Sequence, residues 1–571
     1  MDQGQRKTDY PRLMIAAPSS GSGKTLISCG LLEAFSRRGL KLSSFKCGPD
    51  YIDPMFHRKV LGSASANLDT FFTDEETTGY LLRRYAAGSD LSILEGVMGY
   101  YDGLGGSSDT ASSYDLARVT KTPVVLIVDA KGMSLSAAAT LRGFADFRKP
   151  SRIRGVILNR VSPMLYPVLK EAIERELNER TPDGSGQKDG SAEAGNGDSA
   201  DPGAGSAEQI RVFGYVPKME ALELKSRHLG LIMPDELEGL KEKLGSFAAQ
   251  LEKTVDLDGL YALAREAEGD CRPSGEALCG QKEEGCVREK DLLPETANPC
   301  LQRKQPAEST NSGKKIRIAL AQDEAFCFAY AENLALLEEM GAELVPFSPL
   351  SDRGLPPGSE GLLLYGGYPE LYAEKLAANP DMLRELSAAV RGGLPTMAEC
   401  GGFMYLMEEL EDENGRVFPA AGVLHGRAFR TGKLIRFGYL SLSLRKERVS
   451  GQKRDSGRPF YRTPEPDRIC ERDLYRPDPA PRTLEQWLRL EGLGEIRGHE
   501  FHYYDTTDNG SACTASRKWK NRSWACMQLK DNLFAGFPHL YYYSNPKLPE
   551  RFLRACLDFR KLREAANRPE F

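Results

Sequence analysis

The sequence predicts an α/β protein with two domains, the first of which is built on a doubly wound, mainly parallel sheet. Its 571 residues exceed the roughly 250–300 that a single hydrophobic core serves. In residues 1–269, short apolar strands alternate with amphipathic helices, a pattern typical of parallel sheets covered by helices on both faces. Residues 270–315 are polar and aperiodic, and we interpret them as a linker to a second α/β domain at 316–571.

The composition is that of an ordinary globular protein, with 40% hydrophobic and 27% charged residues. A formal net charge of -5 argues against nucleic acid as an obligatory partner. No apolar run approaches the roughly 20 residues of a membrane span, and the polar first ten residues do not form a secretory signal. Twelve cysteines without paired metal-ligand spacing indicate reduced thiols. We therefore expect a cytoplasmic protein without a membrane or nucleic-acid partner, and a homodimer stays open.

The most informative stretch of the first domain runs from Arg12 to Thr25 and reads RLMIAAPSSGSGKT. An apolar strand leads into a turn rich in glycine and serine, and Gly-Lys-Thr opens a helix, as in a phosphate-binding loop. Pro18 stands where that motif usually has its first glycine, so the loop is a variant. The predicted ligands are ATP and Mg²⁺, because free backbone N–H groups at a helix start bind phosphate. The candidate nucleotide-binding residues are Ser20, Gly21, Ser22, Gly23, Lys24 and Thr25.

Charged side chains follow the next predicted strands of this domain. Lys46 and Asp50 come after the second strand, and Glu95 directly follows the third. The carboxyl ends of parallel strands face the ligand crevice, so these side chains are expected at the nucleotide's terminal phosphate. Asp50 and Glu95 are predicted to hold Mg²⁺ together with the Thr25 hydroxyl, and Lys46 to meet the phosphate. Asp102, on the glycine-rich loop that follows, is expected on the substrate side; turn and cap chemistry is the alternative for these residues.

Three further features of the first half are less specific. Asn159 follows a predicted strand, and its amide can pair with the donor and acceptor edges of adenine, although asparagine is also common turn chemistry there. Residues 182–208 are rich in Gly, Ser, Ala and Asp, and we interpret them as a disordered insertion. His228 is favoured as a structural histidine.

In the second half, Cys400 lies between a predicted strand and a predicted helix and is followed by Gly401 and Gly402. This pattern is typical of a nucleophile elbow in thiol form, and the helix N-terminus is expected to lower the thiol pKa. The pair Gly366-Gly367 after another strand suits an oxyanion hole. A buried apolar cysteine is the alternative interpretation of Cys400.

A general base for Cys400 must come from elsewhere in the chain. The candidates are His425, His499, His502 and His539. His499 and His502 are predicted to share one strand face, and His539 follows a predicted strand near the end. The spacing does not choose among them. Residues 446–491 are basic and rich in proline, and we interpret them as a poorly ordered insertion.

Together these motifs resemble the cobyrinic acid a,c-diamide synthase family, glutamine-dependent amidases of corrin-ring biosynthesis. The most specific stretches are Phe45–Pro54, Leu94–Gly99, Arg227–Leu231, Asp323–Phe328, Ala398–Gly402 and Gly498–His502. The resemblance implies a dethiobiotin-synthetase-like P-loop ATPase domain followed by a class I glutaminase-like domain. It also implies ATP, glutamine and a tetrapyrrole carboxylic acid as small-molecule substrates, with the carboxylate activated as an acyl phosphate.

The resemblance further implies roles for individual residues. Cys400 would cleave glutamine with His539 as base, and His502 is the reserve. The usual third member, a glutamate two residues after the histidine, is replaced by Tyr541, which favours a dyad. Lys46 would contact the transferred phosphoryl group, and Asp102 would act as base or orienter at the ammonia side. Hydrogenobyrinic acid or a nickel sirohydrochlorin are alternative substrates, and a partition-type nucleotide-switch ATPase is the alternative of another class.

Overall fold

The computed structural model describes residues 10–178, 209–219, 240–268, 314–445 and 480–566. By its internal contacts the chain divides into two units. The first comprises Met1–Thr70 and Leu81–Cys271, and the second comprises Phe71–Tyr80 and Arg272–Phe571. The predicted insertion at 182–208, the stretch around His228 and almost all of the predicted linker at 270–315 lie outside the described residues.

The first unit is built on a seven-stranded sheet with the order β3-β2-β4-β1-β5-β6-β7, in which every neighbouring pair is parallel. Its strands are β1 (Arg12–Ala16), β2 (Leu42–Cys47), β3 (Ala64–Leu68), β4 (Leu91–Glu95), β5 (Val124–Asp129), β6 (Ile153–Asn159) and β7 (Arg211–Val216). Its helices are α1 (Lys24–Arg37), α2 (Ile52–Leu61), α4 (Ser113–Val119), α5 (Ser136–Phe147), α6 (Tyr166–Asn178), α7 (Leu240–Thr254) and α8 (Leu257–Arg265), and α3 (Glu75–Ala86) belongs to it from Leu81 onward. The prediction of a parallel α/β sheet is confirmed.

The core of the first unit lies between the sheet and helices α1 and α7. Leu13 and Ile15 of β1 pack in one cluster with Leu31 of α1 and Phe247 of α7. A Cβ at Gly30 would lie 2.5 Å from the Phe247 ring, so glycine lets the two helices approach closely. Burying each such large apolar side chain contributes about 1.5–3 kcal/mol. This packing fixes β1 and the start of α1, and with them the loop that joins them.

The second unit contains a six-stranded sheet with the order β20-β21-β11-β10-β8-β9, parallel except for β20 at the edge. Two smaller sheets have the orders β13-β12-β14-β17 and β19-β18-β15-β16-β22. The strands are β8 (Ile316–Ala321), β9 (Ala342–Phe347), β10 (Gly361–Leu364), β11 (Thr396–Glu399), β12 (Met407–Glu411), β13 (Val417–Pro419), β14 (Leu424–Arg430), β15 (Arg436–Leu444), β16 (Ile496–His502), β17 (Tyr504–Thr506), β18 (Cys513–Arg517), β19 (Arg522–Cys526), β20 (Gln528–Lys530), β21 (Leu533–Gly536) and β22 (His539–Leu540). The helices are α9 (Ala331–Glu339), α10 (Ala373–Ala377), α11 (Pro380–Arg391), α12 (Gly401–Tyr405), α13 (Leu484–Leu488) and α14 (Lys547–Ala566).

Two segments differ from the sequence-based expectation. The poorly ordered insertion predicted at 446–491 extends too far along the chain, because Leu484–Leu488 forms α13 with a capping box at Thr483 and buried Trp487. Residues 446–479 lie outside the described residues. Phe71–Tyr80, expected in the first domain, belongs by its contacts to the second unit. There the ring of Phe72 stacks on that of Tyr541, with centroids 4.8 Å apart.

Candidate active sites

The phosphate-binding loop has the backbone that its glycines require. Gly21 and Gly23 have φ angles of 78° and 94°, in the left-handed region that favours glycine. A Cβ at Gly23 would also lie 2.5 Å from Asn159 Nδ2, so no side chain fits there. Gly23 is the N-cap residue of α1, which leaves the first N–H groups of the helix at the loop, where phosphate is bound in such folds.

Asn159, the predicted adenine contact, lies at the end of β6 beside this loop. Its Nδ2 donates a hydrogen bond to the Ser22 carbonyl over 2.9 Å, and the Ser22 hydroxyl donates to the Ser19 carbonyl over 2.9 Å. These bonds hold the loop in shape without a side chain on Gly23. Asn159 therefore braces the loop, and its contact with adenine stays a prediction.

Lys24 lies at the start of α1 and reaches the loop that follows β4. Its Nζ donates hydrogen bonds to the Met98 carbonyl at 2.5 Å and to the Ser19 carbonyl at 3.4 Å. Burial, reinforced by the charge of Lys46, lowers the pKa of Lys24 to about 8. Lys24 is therefore still mainly a cation at neutral pH and is held only by uncharged carbonyls, which a phosphate could replace.

Lys46 is the centre of a buried cluster of carboxylates. Its Nζ lies 2.5 Å from Asp53 Oδ2, 2.7 Å from Glu95 Oε1 and 3.8 Å from Asp50 Oδ2, and the residue is 6% exposed. Burial lowers the pKa of Lys46, but the charges of Asp53 and Glu95 outweigh it, so the pKa is raised well above its usual value. Lys46 is a fixed cation that orients these carboxylates. Its predicted contact with the transferred phosphoryl group stays a prediction.

Asp53 is a member of this cluster that the sequence analysis did not select. It lies in the first turn of α2, and it is named only as part of the stretch Phe45–Pro54. The sequence did contain a signal for Asp53, because it is a second acid only three residues after Asp50. The first turn of a helix that follows a strand brings such a residue back toward the strand end. The structure therefore adds Asp53 to the predicted set of Lys46, Asp50 and Glu95.

The donor set fits a hard divalent cation at the predicted Mg²⁺ residues. The Thr25 hydroxyl donates to Glu95 Oε1 over 2.6 Å, so two of the predicted ligands are already in contact. Asp50 Oδ1 accepts the N–H groups of Ile52 and Asp53, while burial and the Asp53 charge raise the pKa of Asp50 to about 7. Three carboxylates thus share one lysine, an excess of negative charge that Mg²⁺ would offset.

Within the described ranges no group of three or more His, Cys, Asp or Glu side chains is arranged to hold a metal ion by itself. That agrees with the preference of Mg²⁺ for one or two carboxylates completed by water and substrate phosphates. The binding of Mg²⁺ by Thr25, Asp50 and Glu95 stays a prediction.

Asp102 lies in the glycine-rich loop after β4. Its Oδ2 accepts the backbone N–H of Gly99 over 2.9 Å. A Cβ at Gly99 would lie 2.4 Å from the same oxygen, so glycine is required there. The charge of Asp102 also raises the pKa of Lys24, which shows that the two side chains lie in one electrostatic neighbourhood. The structure thus brings Asp102 to the nucleotide loop, and its action on substrate stays a prediction.

In the second unit, Cys400 lies on a sharp turn between β11 and α12. Its φ of 47° and ψ of −107° are unusual for a residue with a side chain, a strain that costs about 1–3 kcal/mol and is held by the surroundings. The Cys400 N–H donates to the Gly536 carbonyl over 2.8 Å, and the Cys400 carbonyl accepts the Met404 N–H. A Cβ at Gly402 would lie 2.1 Å from the Leu364 carbonyl oxygen, so the turn needs this glycine.

The prediction that the Cys400 pKa is lowered is wrong, because the groups around the thiol raise its pKa more than the helix N-terminus lowers it. Burial raises the pKa of the thiol, with Glu370 adding to the effect, while the Gly401 N–H at the start of α12 lowers it by less. A five-residue helix is too short to offset this desolvation. The thiol is therefore neutral at rest and needs a neighbouring base.

His539, the predicted base, lies next to the nucleophile. A Cβ built on Gly366 would lie 2.5 Å from His539 Cε1 and 3.5 Å from Cys400 Cβ, so both side chains border Gly366. Burial lowers the pKa of His539 well below its usual value, and neighbouring His499 and His502 lower it further. His539 is therefore a neutral imidazole at neutral pH, able to accept a proton.

The other candidate bases are placed differently. His499 stacks on His539 with ring centroids 4.9 Å apart, and its pKa is lowered to about 3 by burial. His502 stacks on Phe537, and its Nδ1 bonds the Tyr504 carbonyl over 2.6 Å. The prediction that His499 and His502 share a strand face is wrong, because they are three residues apart on β16, where side chains alternate. The side chain of His425 is 97% exposed and pairs with Glu408.

The predicted oxyanion residues Gly366 and Gly367 also lie at this turn. The Gly366 carbonyl accepts the N–H groups of Cys327 and Phe328. A Cβ built on Gly401 would lie 3.1 Å from the Gly367 nitrogen, so Gly367 lies next to the Cys400 turn. Glycines at both positions allow this close approach, and the role of Gly367 in binding an oxyanion stays a prediction.

Comparison with known proteins agrees with this division of chemistry. Residues 13–186 match the CobQ/CobB/MinD/ParA nucleotide-binding domain, and residues 317–470 match the CobB/CobQ-like glutamine amidotransferase domain. The cobyrinate a,c-diamide synthase of Caldanaerobacter subterraneus subsp. tengcongensis is 35% identical over 549 residues, 96% of this chain and 98% of that protein. The chain belongs to the cobyrinate a,c-diamide synthase family.

Other members are similarly close. The Salmonella typhimurium protein of that name is 34% identical, over 95% of this chain and 97% of its own length, and that of Thermoplasma volcanium is 33% identical, over 97% and 99%. Among solved structures, PurLQS from Thermotoga maritima aligns with a TM-score of 0.25, 17% identity and coverage of 42% of this chain and 97% of that one.

The family places the chain among the amidating ligases that use glutamine, and it confirms the predicted resemblance, the two-domain fold class and the enzyme class. Of the helices that the structure describes, none is long and apolar enough to cross a membrane.

Proposed function

We propose that the protein catalyses ATP- and glutamine-dependent amidation of the a and c carboxylates of cobyrinic acid, through acyl phosphates, in cobalamin biosynthesis. The observation that carries the proposal is the strained Cys400 turn with neutral His539 beside it, in a chain that also holds a phosphate-binding loop with a charged cluster at its edge. The name shared by relatives 32–35% identical over nearly the whole chain supports the substrate.

The need for ATP follows from the chemistry of the acceptor. A carboxylate does not react with ammonia because oxide is a poor leaving group. A carboxylate oxygen attacks the γ-phosphorus, ADP leaves, and the resulting acyl phosphate is attacked by ammonia; the C–O bond then breaks and phosphate departs. Lys24 would bind the β- and γ-phosphates, and Lys46 would add positive charge beside them. Mg²⁺ held by Thr25, Asp50 and Glu95 would offset charge on the transferring group.

Asp102 has a separate place in this proposal. Its carboxylate lies by Lys24 and is held by the Gly99 N–H. We assign it to the acceptor side, where it would orient ammonia or accept a proton from it as the C–N bond forms.

Glutamine would supply the ammonia at the second site. His539 takes the thiol proton as Cys400 Sγ attacks the glutamine amide carbon. The same proton returns to the leaving nitrogen, ammonia departs, and water hydrolyses the thioester to release glutamate. Because burial makes both Cys400 and His539 neutral at rest, no charge is stored in the site before substrate binds.

Two alternatives remain as outcomes of the test. Hydrogenobyrinic acid or a nickel sirohydrochlorin would use the same chemistry with a different ring. A partition-type nucleotide switch is less favoured, because it assigns no work to the strained Cys400 turn.

The test is to incubate the full-length protein with ATP, Mg²⁺, glutamine and cobyrinic acid and to follow product mass, ADP and glutamate. Two successive acid-to-amide changes with release of ADP and glutamate support the proposal. Turnover of another tetrapyrrole alone would keep the mechanism and move the substrate. No turnover of any carboxylated tetrapyrrole would overturn the proposal.

A further inference from the structure

Glu399 is a buried carboxyl group next to the glutaminase residues that the dyad description does not use. It is the last residue of β11, directly before Cys400, and it is 3% exposed. Its Oε2 lies 3.9 Å from Nδ1 of His539, whose side chain is equally buried. Its Oε1 has no hydrogen-bond partner among the described residues. A carboxyl in such a position is costly to bury and needs a compensating partner.

We infer that Glu399 is the positioning residue for His539, completing a Cys400–His539–Glu399 triad from the residue before the nucleophile. This inference rests on the proposed glutaminase roles of Cys400 and His539. The position two residues after His539 is Tyr541, whose ring stacks on Phe72, so no carboxylate comes from there.

The backbone fixes the three groups relative to one another. Glu399 pairs in register with Gly536 of β21, and the Cys400 N–H bonds the Gly536 carbonyl. A backbone N–H from Leu540, the neighbour of His539, also bonds Glu399. The carboxyl thus contacts the strand that carries the histidine, and the Glu399 backbone leads directly into the turn that carries the cysteine.

The arrangement gives the two nitrogens of His539 different tasks. A carboxyl at Nδ1 favours the tautomer with its proton on Nδ1, which leaves the Nε2 lone pair to accept the thiol proton. The Cε1–Nδ1 edge of the ring faces Gly366, because a Cβ built there would lie 2.5 Å from Cε1, 3.4 Å from Nδ1 and 3.5 Å from Cys400 Cβ. When His539 becomes an imidazolium, Glu399, whose Oε2 lies 3.9 Å from Nδ1, can stabilise it.

Burial raises the pKa of Glu399, so the carboxyl is neutral before the reaction. A neutral carboxyl still offers a carbonyl oxygen to the Nδ1–H, and an adjacent imidazolium favours its ionised form. An amide offers the oxygen but cannot ionise. This difference separates a role in positioning and charge stabilisation from one in filling space.

The decisive variant is Glu399→Gln in the full-length protein, assayed for glutamine hydrolysis and for amidation supported by ammonium salt. General-base assistance is worth about 10²–10⁴-fold, so we expect kcat for glutamine to fall at least about tenfold with KM little changed. Ammonium-supported amidation should stay at the wild-type rate. Glu399→Asp, which can ionise, should recover part of the lost kcat. Glu550→Gln, a buried carboxyl on α14 of the same unit that pairs with Arg554, is the matched control.

A glutamine kcat in Glu399→Gln within about twofold of the wild type would overturn the inference, because an isosteric amide preserves packing and the Leu540 bond. If Glu399→Gln also loses ammonium-supported activity, Glu399→Asp decides the matter: the inference fails unless Asp hydrolyses glutamine faster than Gln. Cys400→Ala, assayed in parallel, distinguishes failure of the Glu399 inference from failure of the glutaminase roles on which it rests. Glutaminase activity in that variant would overturn the proposed role of Cys400, on which the inference rests.

Discussion

Lys46 Nζ lies 2.5 Å from Asp53 Oδ2 and 2.7 Å from Glu95 Oε1, so one buried cation joins the end of β2, the start of α2 and the end of β4. Thr25 at the start of α1 bonds the same oxygen of Glu95. The predicted metal ligands are thereby tied to the phosphate-binding loop by direct contacts.

Replacing Lys46 tests that cluster. In Lys46→Met, the buried carboxylates of Asp53 and Glu95 and the partly exposed one of Asp50 lose their cation, and breaking a buried ion pair costs about 3–5 kcal/mol. We expect the free energy of unfolding in urea to fall by about 3–5 kcal/mol. Amidation, whether supported by glutamine or by ammonium, should fall at least about a hundredfold. Lys149→Met is the control, because its ammonium is exposed and pairs with Asp146 at the surface. Wild-type amidation by Lys46→Met would contradict the assignment.

Cys400→Ala separates the two half-reactions. The variant should have no measurable glutaminase activity, because no other nucleophile is proposed for the amide carbon. Amidation with ammonium salt should continue at the wild-type rate, since only the ammonia supply is lost. Glutamine-supported amidation by purified Cys400→Ala would show that the nucleophile has been misassigned.

Gly366→Ala tests the closeness of His539 to Cys400. The added methyl would lie 2.5 Å from His539 Cε1 and must displace the ring or the backbone. We expect glutamine hydrolysis to fall at least about tenfold while ammonium-supported amidation persists. Gly245→Ala adds a methyl that meets nothing within 4 Å and serves as control. Equal glutaminase rates in the two variants would argue against a functional His539 at this position.

The affinity for ATP should depend on the protonation of Lys24. Its pKa is lowered to about 8, chiefly by burial, so the cation is present below that pH and is lost above it. Bound phosphate favours the cation, so ATP affinity should begin to fall as the pH approaches 8, where half of the free Lys24 is neutral, and weaken further above it. Calorimetric titration from pH 6.5 to 9.5 would measure this (a range of about three units around the lowered pKa). Lys24→Ala should bind weakly without that alkaline loss, and an identical pH profile in this variant would assign the effect to another group.

Much of both sites could be predicted from local sequence. The strand, glycine turn and helix around Lys24 and the turn at Cys400 are set by neighbouring residues, and both are present. Strand ends in a parallel sheet meet at one edge, which is why Asp50 and Glu95 were predicted together.

What the sequence missed depends on long-range packing. Phe71–Tyr80 joins the second unit, and Glu399 faces His539 only because β11 pairs with β21. The direction of the Cys400 pKa was wrong because local reasoning counted the helix terminus and not the burial of the thiol. Each of these features depends on contacts between segments that are distant in the chain, so no single stretch of sequence shows it.

Activation of the acceptor carboxylate as an acyl phosphate would carry one carboxylate oxygen into phosphate, and an isotope label can follow that oxygen. Cobyrinic acid labelled with ¹⁸O in its carboxylates would be converted with ATP and glutamine, and the inorganic phosphate analysed by mass spectrometry. We expect one ¹⁸O atom in phosphate for every amide formed, with ADP as the other product. Amide formation with unlabelled phosphate would contradict it.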